Sequence, residues 1–130
     1  MNFMSVPVFK TQQMFKAQQQ QQKKDLIKKN YAEIYAHEAA HKSAAGSLGG
    51  PIVIEENGEG IPVGGHVSIK MPSLNKNNPK ETIDHANTVI KAALAPSDPS
   101  GQDYKVAAQA KSIKAQAEIL QNKKKLDYFA

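Results

Sequence analysis

The chain has 130 residues, with seventeen Lys, no Arg, no Cys and a formal charge of +5. That length fits one small domain. The missing cysteines exclude a disulfide framework, a thiolate metal site and a cysteine nucleophile, and no apolar run approaches the roughly 18 residues of a membrane span. The charge is uneven: residues 1–30 carry six Lys against Asp25 alone, while residues 31–130 hold eleven Lys and eleven acids. The body is therefore neutral and the leader basic. Without Arg, the usual bidentate reader of bases and phosphates, no nucleic-acid partner is expected.

Residues 1–22 read as a flexible leader, because the Gln run at 18–22 has nothing to bury. The first nine residues are mildly apolar but lack the basic start and long apolar stretch of a signal peptide, so the expected location is the cytoplasm. Residues 23–130 read as a single domain.

A long helix is predicted from about Lys23 to Ala45, ending near Gly46. Its face runs Ile27, Tyr31, Ile34, Glu38, His41, Ala45, at helical spacing. The stripe begins apolar and turns ionisable. At about 100° per residue, His41 lies within about 20° of Ile34. An unpaired carboxylate and imidazole are costly to bury, and a metal ion would satisfy them.

These residues belong to His37-Glu38-Ala39-Ala40-His41, an H-E-x-x-H pattern. Two His four apart share a helix face and can reach one ion, while Glu38 is placed to take a proton from a water beside it. Shuffling four His and seven Glu through 130 residues gives such a pattern only roughly 0.006 times per chain. The expected metal is Zn²⁺, with three protein ligands and an open fourth position for water, and with Glu38 as general base.

Residues 51–56 are a strand candidate, Asn57-Gly58 signals a type I′ turn, and residues 61–71 form the return strand. Gly64-Gly65 suggests a bulge or a close backbone approach just before His66. After a polar loop, Asn78, Pro79 and Glu81 predict a capped helix to about Ala95, with Ile83, Ala86, Ile90, Ala93 and Leu94 as its apolar face. A last helix is predicted from about Gln102 to Tyr128. Val106, Ala110, Ile113, Ala117 and Leu120 form its packing seam. The fold class is α+β: a mainly helical, minimal zincin-like domain of three main helices, with one hairpin packed on the motif helix.

A catalytic zinc needs a third protein ligand. The longer pattern H-E-x-x-H-x-x-G-x-x-H fails, because Ala44 stands at the Gly position and Ser47 at the last His. His66 is the favoured third ligand, since the hairpin can bring its strand back against the helix. His85 is a weaker choice, facing away from its helix's apolar side. Glu55, Glu56, Glu59 and Asp98 remain as acidic alternatives.

Ala36 to Gly46 around the motif, Val63-Gly64-Gly65-His66-Val67, residues 92–103 ending Asp98-Pro99-Ser100-Gly101-Gln102-Asp103, and Val106 to Ala110 together resemble the SprA-related family of bacterial metalloproteases. The resemblance covers residues 31–120 in order. It implies that His37, Glu38 and His41 form that family's H-E-x-x-H. At the place of His66 the family often has Glu, an equally competent zinc ligand. Asp98 and Asp103 fall in a matching stretch, either as helix caps or as carboxylates that orient a ligand imidazole.

The leading expectation is a zinc-dependent metallopeptidase acting on a peptide or protein substrate. His37, His41 and His66 would hold Zn²⁺, Glu38 would act as general base, and Tyr31, Tyr35 or Tyr104 are candidates to stabilise an oxyanion. The alternatives are a non-catalytic metal-binding module and a helical protein-interaction module that uses the seam from Val106 to Leu120. The oligomeric state is left open.

Overall fold

A computed structural model describes residues 7–129. The order is helix α1 (Val8–Ala45), a 3-10 turn (Gly46–Leu48), strands β1 (Val53–Glu56) and β2 (Pro62–His66), helix α2 (Pro79–Ala93) and helix α3 (Gly101–Phe129). The fold is the expected mainly helical α+β domain, three helices with one antiparallel hairpin. Among the described residues no helix is long and apolar enough to cross a membrane.

α1 begins at Val8 rather than near Lys23. Gln and Lys are good helix formers, so residues 8–22 continue the helix although their side chains bury nothing. The part of the expected leader at residues 1–6 lies outside the described residues. The other end of α1 stops at Gly46, as expected.

The hairpin pairs Val53 with His66, Ile54 with Gly65 and Glu55 with Gly64, then slips so that Glu56 faces Pro62. Its tip departs from the expected type I′ turn. Such a turn needs positive φ at both Asn57 and Gly58, and among the described residues only Gly46 and Gly60 have positive φ. Instead the Asn57 side chain accepts from the N–H groups of Glu59 and Ile61, closing a longer loop in which Gly60 at φ 80° makes the reversal.

β2 lies against α1. Asn30 Nδ2 donates to the Pro62 carbonyl at 3.0 Å. Gly65 permits the approach: a Cβ there would sit 2.7 Å from Ile34 Cγ2, 2.9 Å from the Val53 oxygen and 3.1 Å from Glu38 Cγ. The expected close backbone approach is therefore located at Gly65.

Asn78 caps α2 as expected, accepting from Glu81 N–H, with Pro79 in the first turn. The buried face is rotated from the expected one and consists of Pro79, Thr82, Ala86, Val89, Ala92 and Ala93. Thr82 explains the rotation. Its hydroxyl donates to the Ser73 carbonyl and accepts from Asn75 N–H, so a polar residue is buried at low cost while Ile83 and Ile90 stay half-buried. α2 packs chiefly on α3, which buries Ala110 and Ala117 of the expected seam and Ala107 beside it. The core is built from Ala and Val, and small side chains let helix axes approach closely. α1 rests on α2 and the hairpin, and packs little against α3.

Candidate metal centre

The last turns of α1 carry His37, Glu38 and His41 into a cavity of about 460 Å³. Its other walls come from β2 and the segment after it, from Ala93 at the end of α2, and from the first turns of α3. Glu38 and His41 are buried.

His41 fixes the chemistry of the site. Its Nδ1 lies 2.8 Å from the Ala92 carbonyl oxygen. A carbonyl only accepts, so Nδ1 carries the proton. That leaves Nε2, 3.1 Å from Asp103 Oδ1. His37 repeats the arrangement: Nδ1 is 3.3 Å from Asp98 Oδ1 and Nε2 is 3.2 Å from Asp103 Oδ2. The two rings meet edge to face with centroids 4.9 Å apart. Each imidazole thus has an acceptor on Nδ1 and turns Nε2 toward the same carboxylate.

Two neutral imidazoles in this pose would set lone pairs against a carboxylate. Either protons or a shared cation must lie between them. The donor atoms of His37, His41 and Asp103 all fall within 4.8 Å of one another. A tetrahedral zinc with bonds of about 2.0–2.1 Å has edges between donors of roughly 3.3 Å, close to the spacings of Asp103 from both rings. Two imidazoles and one carboxylate form a common catalytic zinc set.

Asp103 is held by a capping box as well. Its Oδ2 accepts from Ser100 N–H at 2.8 Å, and its own N–H donates to Ser100 Oγ at 3.1 Å. Burial pushes its carboxyl upward, the largest single influence. The Ser100 N–H, the charge of His41, the Ser100 hydroxyl and His37 together outweigh it and hold the group below its ordinary range. The two expected roles, helix cap and carboxylate beside an imidazole, coincide in Asp103, which closes the capping box of α3 and faces both rings.

His66 stands outside the close group. Strand alternation turns Gly65 toward α1, so the neighbouring His66 faces the other way. Its side chain is 53% exposed, against 5% for His41, and its Nδ1 lies 3.0 Å from Glu55 Oε1. It lines the same cavity from the rim. His85 also lies apart: its Nε2–H donates to the Lys70 carbonyl at 2.8 Å, tying α2 to the chain after β2. Tyr31 and Tyr35 stack on each other, and neither they nor Tyr104 line the cavity.

Asp103 was legible as part of a pattern. It precedes Val106 by three residues and so extends the seam of α3 by one step toward its start. An acid on a packing seam, at the third position of a helix, faces inward and needs a partner.

All these residues lie within one matched span. A model of the SprA-related family matches residues 8–126. The chain belongs to the SprA-related family. No curated protein and no solved structure matches it. The span shared with SprA-related chains contains all three donors, Glu38 and both residues that accept from the His Nδ1 atoms.

Proposed function

We propose that this chain is a small zinc-dependent peptidase in which His37, His41 and Asp103 hold the metal and Glu38 is the general base. The observation that supports it most is the common pose of the two imidazoles. Each is tied at Nδ1 to an acceptor, Asp98 or the Ala92 carbonyl, and each turns Nε2 to Asp103. Partners on Nδ1 are how ligating imidazoles are oriented and made more basic.

A bound zinc supplies Lewis acidity, which lowers the pKa of a water and polarises a substrate carbonyl. Glu38 performs the proton transfer. Among the described residues its carboxylate has no hydrogen-bond partner and it borders the cavity, so it is free to accept the proton of the attacking water. It then returns that proton to the leaving amine as the peptide bond breaks. The Ala92 carbonyl accepts from His41 Nδ1–H, which leaves Nε2 as the ring nitrogen that would face the ion. Asp103 brings the negative charge that offsets a divalent ion in a largely buried setting.

A second reading has its own support. α1 and α3 pack little against each other, and the His–Asp cluster joins them. The same ligands would then serve as a staple without catalysis. Glu38→Gln separates the two. The peptidase reading predicts retained zinc and hydrolysis of an unstructured protein such as casein slowed by about 10²–10⁴-fold. Equal hydrolysis by wild type and variant, or none by either with zinc bound, rejects catalysis by Glu38 and leaves the staple.

A further inference from the structure

One wall of the cavity beside the donors is the chain that follows β2, represented there by Val67, Ser68, Ile69 and Met71. Its side chains alternate. Val67, Ile69 and Met71 are half-buried, while Ser68 and Lys70 are exposed. This period of two marks extended chain with one face turned inward. Its main chain alternates too. The Ser68 carbonyl accepts from Gly50 N–H at 2.8 Å, Lys70 N–H donates to the Leu48 carbonyl at 2.9 Å, and Ile69 faces Gly49 in an antiparallel bridge. In extended chain the main-chain groups of successive residues point to opposite edges. Ser68 and Lys70 use one edge, so Val67 and Ile69 present their N–H and C=O at the other. Among the described residues those groups have no main-chain partner.

An unpaired strand edge is a template for another extended chain. This one is short: Pro72 follows, and a proline has no N–H to donate. Such a length suits a peptide better than a sheet shared between two copies. The edge belongs to the same cavity as His37, His41 and Asp103. Met71, Ala93 and Val106 give that cavity an apolar part.

We propose that the edge formed by Val67 and Ile69 is the substrate-docking site, where an extended peptide pairs by β-augmentation and seats an aliphatic side chain among Met71, Ala93 and Val106. This rests on the peptidase reading. The pairing fixes the peptide in register, so its carbonyl is presented to the metal donors, and the aliphatic seat selects which residue flanks that bond. Specificity on this account is for extended, uncharged segments.

The test reads binding without turnover. A fluorescent peptide of threonine alternating with valine and leucine, flanked by lysines, is titrated by anisotropy against zinc-loaded and metal-free Glu38→Gln protein. Copies of the peptide carry one N-methyl group at each position in turn. The expected result is a loss of about tenfold at every second position, the size of one lost main-chain hydrogen bond, with changes under about twofold between them. Ile69→Pro removes one N–H from the edge and should weaken binding equally. Circular dichroism checks its fold, and the N-methyl series decides alone if that variant does not fold. Loss without a period of two, or no binding at millimolar protein, overturns the docking edge. Casein hydrolysis by the wild type with no such period leaves the peptidase reading standing and rejects only the edge. A period of two with no zinc bound after reconstitution keeps the edge and rejects the peptidase reading.

Discussion

Asp98 is exposed, and in the proposed metal centre it would steady the His37 ring from behind. Its Oδ1 lies 3.3 Å from His37 Nδ1, the ring nitrogen turned away from Asp103. Replacing such a partner typically costs a metal site about 10–100-fold in affinity. Asp98→Asn should fall near the lower end because Asp98 is solvated, and a competition titration with a zinc chelator would measure it. Unchanged affinity would show that His37 needs no partner. Asp103 carries a pH signature in the metal-free protein. Its folded carboxyl titrates below its ordinary 3.8. A depressed carboxyl contributes stability above the unfolded value and loses it as pH falls through the folded one. Wild type should therefore exceed Asp103→Asn in urea midpoint at pH 6 and lose that advantage progressively below about pH 3.8. A constant gap across that window would contradict the account. At this scale His37, Glu38 and His41 were legible because i, i+4 spacing is local geometry. Asp103 was legible only in part: its place on the seam of α3 is local, whereas its approach to both rings is not. Choosing between His66 and Asp103 depends on which face of β2 meets α1, and Gly65 decides that only through contacts distant in sequence.

The hairpin positions the site through one missing side chain. A Cβ at Gly65 would meet Ile34, the Val53 carbonyl and Glu38, and the carbonyl is backbone that cannot swing aside. Gly65→Ala should cost about 1–3 kcal/mol, as overpacking does, lowering the melting temperature by several degrees. Gly64→Ala is the control, since only Glu55 Oε2, at 4.0 Å, comes near. Equal melting temperatures for the two variants would show that β2 does not pack on α1 as described. The Gly64-Gly65 pair signalled this approach in the sequence, and Asn78-Pro79 signalled the start of α2, because each is a local steric or hydrogen-bonding demand. The rotated face of α2 was hidden. Apolar periodicity favours Ile83 and Ile90, whereas the buried Thr82 depends on Ser73 and Asn75 in a preceding loop. The extension of α1 to Val8 was hidden for the opposite reason: a Gln-rich run has helix propensity but no apolar stripe to announce it.

Across the whole molecule the cluster joins parts that otherwise barely touch. α1 supplies two donor side chains, α3 the third, and the C-terminal end of α2 with the loop after it supplies the acceptors behind them. The core between the helices is mostly alanine, so packing alone holds them modestly. Metal binding to the folded state alone adds about 2.7 kcal/mol at a hundredfold excess over Kd. Thermal denaturation with zinc and with chelator should differ by several degrees, and Asp103→Ala should abolish the difference. The decisive measurement on the metal centre is zinc stoichiometry by elemental analysis on tag-free protein, comparing wild type, Asp103→Ala and His66→Ala. About one zinc per chain is expected in wild type and in His66→Ala, with loss in Asp103→Ala. Retention in Asp103→Ala with loss in His66→Ala would move the third ligand to the hairpin, and no zinc in wild type would contradict the metal centre itself.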